Sequence, residues 1–293
     1  VEPDTSRLKK AFPFVDYFFA AGSFPEFLGE YHVEKMLPRS PLVASYVPIM
    51  QGCNNFCAYC IVPYRRGRER SRPLQEIVKE INGLVERGVK EVTLLGQNVD
   101  SYGHDLAEKP DLADLLTALN PIDGLLRIRF LTNHPKDMKD KLIEAIAGLD
   151  KVCEQINLPV QAGDDVTLKA MRRGYTVEHY TELIGRIRSK IPGIALSTDL
   201  IVGFPGETEA QFENSFNLLS RLKFDMVHVA AYSPRSGTLA AREMKDDVLP
   251  EVKKSRVAAI EKLQAQIAGE INATLLNTAV EVLVEGQEKG RWF

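Results

Sequence analysis

The sequence predicts an α/β fold, an open three-quarter (β/α)6 barrel, and three observations carry that reading. Strand-like and helix-like stretches alternate from about residue 42 to 232; the alternating units number six rather than eight; and the densest cluster of reactive side chains follows the first strand directly. Strands separated by helices of about ten to fifteen residues require right-handed crossovers and a parallel sheet. In such barrels the working loops gather at the C-terminal strand ends.

Taken in order, residues 1–40 mix apolar and polar side chains. Phe12, Phe14, Phe18, Phe19, Phe24 and Phe27 are too irregular for one helical face, and read as short helix and loop packed against the barrel. Ala44 to Met50 reads as the first strand. Leu74 to Arg87 carries apolar residues at helical spacing and stops at Gly88. Glu91 to Leu95 is a strand, Asp111 to Leu119 a helix, Leu126 to Leu131 a strand, and Pro135 to Leu149 a helix with proline at its start. The strand Val152 to Val160 precedes helices from about Asp165 and Val177. The strand Ile194 to Val202, the helix Glu207 to Leu222 and the strand Met226 to Tyr232 complete the barrel, residues 41–246. Residues 247–276 form a long amphipathic helix with Val257, Ile260, Leu263, Ile267 and Ile271 on one stripe. In 277–293 the alternation from Thr278 to Val284 begins another strand.

With 293 residues, 44% of them hydrophobic and 26% charged, the chain can bury one barrel-sized core. Lys and Arg number 37 against 40 Asp and Glu, a formal charge of −3. No long-range field draws in nucleic acid, so a polyanion must be met locally. No apolar run of 18 residues exists and the first residues lack signal-peptide character, so a cytoplasmic protein without a membrane partner is expected. The absence of an initiator Met and the abrupt end at Phe293 suggest a piece of a longer protein.

Cys53, Cys57 and Cys60 are spaced C-x3-C-x2-C, three of the four cysteines in the chain. Three thiolates fall one short of a closed tetrahedral zinc site or a fully ligated [4Fe-4S] cluster, and no other Cys or His lies in the loop. The natural reading is a cubane with one open iron. A three-cysteine zinc site completed by a distant His, or part of a disulfide framework, is the alternative.

The signature C-x3-C-x-aromatic-C, with Tyr59 before the last cysteine, resembles that of radical S-adenosylmethionine (SAM) enzymes. The flanking runs Tyr46 to Gly52, Ile61 to Gly67 and Ser71-Arg72-Pro73 narrow the resemblance to the methylthiotransferase branch, and within it to the tRNA-modifying type. It implies that Cys53, Cys57 and Cys60 hold a [4Fe-4S] cluster whose open iron binds SAM. It further implies that 1–40 is the tail of an N-terminal methylthiotransferase domain and 277–293 the start of an RNA-binding TRAM β-domain. A second [4Fe-4S] cluster is expected only in the parent protein, because the three cysteines that would hold it are missing here.

The same resemblance assigns Gly96, Gln97 and Asn98, after the second strand, to the SAM amino group, and Gln161 and Arg173 to its ribose and carboxylate, the alternative being a capping Gln and a surface Arg. Tyr59 either packs near the adenine or merely fills the loop. Asp199, an acid in an apolar strand, is read as a polar group at the barrel mouth facing substrate or SAM. Glu207 complements a helix dipole, and His134 either caps a helix-opening turn or serves chemistry. Arg65, Arg66, Arg68, Arg70 and Arg72 form either a solvated face or a phosphate-binding loop. Cys153 reads as a small buried hydrophobe.

The implied activity is conversion of N(6)-isopentenyladenosine beside the anticodon to its 2-methylthio derivative. The partners would be the tRNA anticodon region, a flavodoxin or ferredoxin as electron donor, and an unknown sulfur donor. The alternatives are methylthiolation of a ribosomal-protein aspartate or of threonylcarbamoyladenosine in tRNA, and, in a different class, an RNA-binding module with a structural metal.

Overall fold

Six strands run parallel in chain order: β1 (Ala44–Pro48), β2 (Glu91–Leu95), β3 (Arg127–Phe130), β4 (Gln155–Asn157), β5 (Ala195–Val202) and β6 (Met226–Ala231). The computed structural model describes residues 5–15, 18 and 43–292. Hydrogen bonds link β1–β2–β3 and β4–β5–β6. A parallel bridge between Ile128 and Val152 joins the two halves. Among the described residues β6 does not pair with β1, so the barrel stays open, as expected.

Alternate strand residues serve two environments. Val92, Leu94, Ile128, Phe130, Ile156, Leu196, Leu200 and Val227 are buried in the main core with the helices. These are α1 (Leu74–Glu86), α2 (Leu112–Leu119), α3 (Asp140–Gly148), α4 (Val177–Lys190), α5 (Glu209–Leu222) and α6 (Pro250–Ala273). The other strand face is polar. Arg129 Nε meets Glu91 Oε1 at 3.0 Å and its Nη1 donates to Gln155 Oε1 at 2.7 Å, tying β2, β3 and β4 across the barrel interior. Caps fix several helix starts, such as the reciprocal Asp111–Asp114 pair at α2.

The elements depart from the sequence reading at four places. The first strand breaks after Pro48, and Met50–Gln51 pairs instead with Arg70–Ser71 in an antiparallel ribbon. α3 starts at Asp140 rather than Pro135, because the His134 carbonyl is spent on a turn, accepting from Asp137 and Met138. β4 is shorter than Val152 to Val160, since Pro159 has no N–H to give and Gln161 takes a φ of 68°. Thr278 to Val284 is not a strand: Val280 and Val282 are exposed and find no sheet partner among the described residues. A hairpin of Gln287–Glu288 and Arg291–Trp292 closes the described chain.

Helix α6 packs on β6, β5 and α5, burying Ile260 and Ile267 with Val257 and Leu263 partly covered. Beneath it Lys253 reaches Asp246 and the Tyr232 carbonyl. Phe12 and Phe14 depart from the expected packing: both are exposed and meet each other edge-on at 6.2 Å. Phe19, Phe24 and Phe27, and the 1–40 segment beyond residues 5–15 and 18, lie outside the described residues. No helix among the described residues is long and apolar enough to cross a membrane.

Candidate functional site

The cysteine loop leaves the Met50–Gln51 ribbon through Gly52, whose φ of 84° and crowding leave room for no side chain. A Cβ there would fall 2.1 Å from the Arg68 carbonyl oxygen. That contact folds the returning strand over the loop: the Cys53 amide donates to the Gly67 carbonyl at 3.2 Å, and Asn54 is held at both its amide and side chain by Glu69. Further along, the Ala58 amide donates to Met171 and its carbonyl accepts from Ala240. The loop is thereby fixed at both ends and in the middle, over the C-terminal end of β1.

Cys53, Cys57 and Cys60 are all free thiols, the first two buried and the third half-buried. Burial pushes the Cys53 thiol up to about 11 and raises that of Cys60, and the neighbouring Cys57 adds to both. Among the described residues no three His, Cys, Asp or Glu side chains are gathered as ligands of one metal ion. A cubane offers each thiolate an iron of its own, so its ligands need not converge on one point.

Arg173 lies directly behind the loop, 4% exposed. Its Nη1 donates to Cys57 Sγ at 3.4 Å and to Tyr59 Oη at 3.3 Å, its Nε to Tyr175 Oη at 3.0 Å, and its Nη2 to the Pro159 carbonyl at 2.9 Å. Tyr59 thus turns its hydroxyl to Arg173. Gln161 sits beside them, its backbone bridging Asp199 and Ile201 on β5.

The turn after β2 fastens the loop from the other side. Gln97 Oε1 accepts from the Gly52 amide at 2.6 Å, and Gly96 lies where a Cβ would come 2.6 Å from the Met50 side chain. Asn98 donates to Asp137 at 2.8 Å. Asp100 accepts from the Asn133 side chain and from the His134 amide. Burial raises the Asp100 carboxyl to about 7. Burial, with Arg173 nearby, lowers His134 to about 3, which keeps it neutral. Its Nδ1 accepts from the Lys136 amide, so Nε2 carries the proton. Burial raises the Asp199 carboxyl against the pull of His228 and Asn157.

Three polar atoms of this wall are buried without a hydrogen-bond partner: Asn98 Oδ1, Asn133 Oδ1 and His134 Nε2. Both amides give their NH2 to a carboxylate, which fixes the oxygens as the free ends. Two acceptors and one donor left unpaired in a native interior point to a polar ligand. Beside three soft thiols and a buried cation, they suit an iron–sulfur cluster with a zwitterionic cofactor.

Of the arginine run, Arg65, Arg66, Arg68 and Arg70 are exposed. Arg68 stacks over Phe56 at 4.6 Å, and Phe56 meets Tyr64 edge-on at 5.7 Å. Arg72 is set apart: it pairs with Glu80 at 2.6 Å and donates to the Pro48 carbonyl at 2.7 Å. Cys153 is half-buried at the foot of the barrel, less enclosed than expected. Glu207 is more than a dipole complement, for it binds Arg256 of α6 at 2.8 Å and the Gly203 amide. Sequence reasoning gave Asp100 and Tyr175 no role and Asn133 none beyond capping a turn. The one local signal was Asp100 between apolar Val99 and the small Ser101, an acid with no solvent-facing pattern around it.

A family model described as the Radical SAM superfamily matches residues 47–219. The chain is 58% identical over 292 residues to a tRNA-2-methylthio-N(6)-dimethylallyladenosine synthase of Dehalococcoides mccartyi strain CBDB1, covering 100% of this chain and 70% of the relative. It is 57% identical over 255 residues to the protein of that name from Chloroflexus aurantiacus, covering 86% and 55%. In structure it is similar to coproporphyrinogen III oxidase (HemN) from Escherichia coli, a radical SAM enzyme, with a TM-score of 0.59 at 16% identity over 91% of this chain and 62% of that one. The methyltransferase TsrM from Kitasatospora setae matches with a TM-score of 0.56 at 18% identity, over 68% and 38%.

Proposed function

Because the chain belongs to the radical SAM superfamily, and within it to the tRNA-2-methylthio-N(6)-dimethylallyladenosine synthases, we propose that it carries the SAM-cleaving barrel of a tRNA methylthiotransferase. The reaction would turn N(6)-isopentenyladenosine next to the anticodon into its 2-methylthio derivative. The observation that carries the reaction class is the C-x3-C-x2-C loop fixed over the C-terminal end of β1 with Arg173 behind it. The substrate is carried over from the relatives' name.

Cys53, Cys57 and Cys60 would hold the [4Fe-4S] cluster and leave one iron for SAM. When bound, cluster and SAM supply one-electron chemistry strong enough to activate the adenine C2–H bond, which no acid or base side chain could do. Asn98 Oδ1 and Asn133 Oδ1 offer acceptors to an ammonium, and the neutral His134 offers Nε2–H to a carboxylate. Gly96 and Gln97 act on the cofactor by holding Gly52 and Met50 in place. Tyr59, Gln161, Arg173 and Asp199 would complete the cofactor's surroundings. Arg65, Arg66, Arg68 and Arg70, beside Phe56 and Tyr64, present cations and aromatic faces to single-stranded RNA.

The four cysteines leave no second set of three, so the sulfur-carrying cluster would come from residues outside this sequence. In that parent protein 1–40 would end the N-terminal methylthiotransferase domain, and 277–293 would open the TRAM domain. The cytoplasm, with a flavodoxin or ferredoxin donor, fits this chemistry. Anaerobic reconstitution tests it: about four irons per chain and SAM-dependent 5′-deoxyadenosine are expected, and stable zinc without SAM turnover would refute it. Nucleoside mass spectrometry of tRNA from a deletion strain tests the substrate, where an unchanged level of 2-methylthio-isopentenyladenosine counts against it.

A further inference from the structure

Arg173 is buried, and the acid Asp199 acts on it only through its field, without a hydrogen bond. No Asp or Glu among the described residues forms an ion pair with it, and its acceptors are two phenols, a carbonyl and the Cys57 sulfur. Phenols and carbonyls are neutral near pH 7. A guanidinium removed from water needs a compensating anion. Of its four partners only the Cys57 sulfur, as a thiolate, can supply one.

The guanidinium is also held tightly in orientation. Tyr175 accepts from its Nε and itself donates to the Val160 carbonyl at 2.7 Å, while the Pro159 carbonyl fixes Nη2. One N–H of the five remains for a cofactor. The fork therefore points at the Cys57 sulfur by construction of the fold.

We propose that Arg173 is a positioning residue acting through Cys57: its hydrogen bond to that sulfur raises the reduction potential of the cluster above what three unassisted thiolates would give. The inference rests on the cluster reading above and extends it. Hydrogen bonds to the sulfurs and the net charge around a cluster are among the levers that set its potential. A donated N–H withdraws density from the thiolate, and a fixed positive charge favours the state with one more electron. The step concerned is transfer of one electron from a flavodoxin- or ferredoxin-class donor to the cluster, with no bond made or broken.

The test compares anaerobically reconstituted wild type with Arg173→Met, Arg173→Lys and Tyr175→Phe. Iron per chain and the midpoint potential, from a dye-mediated titration followed by electron paramagnetic resonance, are measured without SAM or tRNA. Arg173→Met is expected to lower the equilibrium constant for reduction about tenfold, a midpoint about 59 mV more negative. Arg173→Lys, which keeps the charge without the fork, should shift less, and Tyr175→Phe should shift in the same direction. A loaded Arg173→Met protein at the wild-type potential overturns the proposal. Should that variant not load, wild-type potentials in both Arg173→Lys and Tyr175→Phe overturn it equally. A wild-type chain that binds no iron is a separate result: it removes the cluster reading and this proposal with it.

Discussion

The Gly52 amide lies 2.6 Å from Gln97 Oε1, a hydrogen bond that spans 45 residues and ties the base of the cysteine loop to the turn after β2. The pair joins two motifs that look independent in the sequence. Gln97→Ala leaves the Gly52 amide unpaired at a part-buried site, a loss of about 1–3 kcal/mol. Gly52→Ala is expected to be worse, because the backbone takes a φ of 84° and its Cβ would overlap the Arg68 carbonyl. Thermal unfolding together with iron per chain after reconstitution checks both. A Gly52→Ala protein that melts and loads like wild type would show that the ribbon does not shape the loop.

Glu207 and Arg256 form the buried lock between the loop after β5 and α6, at 2.8 Å, with Glu209 as a second, exposed partner of the same guanidinium. Arg256→Met strands a carboxylate in the interior and should destabilise by about 3–5 kcal/mol. Pairing it with Glu207→Gln should recover part of that loss, because the stranded charge is gone. Urea denaturation of the single and double variants measures the coupling, and strictly additive effects would contradict it.

Asp100 and His134 make stability depend on pH in opposite directions. The folded Asp100 carboxyl is raised to about 7, so its contribution is fully present below the unfolded value near 3.8 and is lost as pH rises through about 7. The folded His134 is lowered to about 3, so its contribution is present above about 6.5 and is lost as pH falls toward 3. The two windows nearly coincide with opposite sign. Relative to wild type, His134→Gln should therefore grow less stable as pH rises from about 3 to 6.5, and Asp100→Asn less stable as pH falls from about 7 to 4. Denaturant midpoints across that range decide it; parallel profiles for all three proteins would refute the opposition.

The barrel was readable because its strands and helices keep their periods, and the loop because cysteine spacing is a local signal. What escaped depends on contacts between distant segments. Asp100 becomes a buried carboxyl only when β3 brings Asn133 and His134 against it. The valines from Thr278 to Val284 keep a strand-like alternation, yet alternation makes a strand only when a neighbour accepts its hydrogen bonds. Arg72 looked like its neighbours in the run until Glu80, in the second turn of α1, claimed it.

That division within the arginine run gives the last prediction. Arg65, Arg66 and Arg70 are exposed and make no ion pair among the described residues, so each is free to neutralise a phosphate. A contact to single-stranded RNA contributes a slope of about −0.7 in log Kobs against log salt concentration. Replacing Arg65 and Arg66 with Gln in the full-length enzyme should therefore weaken anticodon stem-loop binding at low salt and flatten the slope by about one to one and a half units. Arg72→Gln should leave the slope unchanged, because its guanidinium is already engaged by Glu80 and the Pro48 carbonyl. Its loss should instead lower the melting temperature. Fluorescence anisotropy over a salt series, with melting curves alongside, separates the two effects, and a flattened slope for Arg72→Gln alone would invert the assignment.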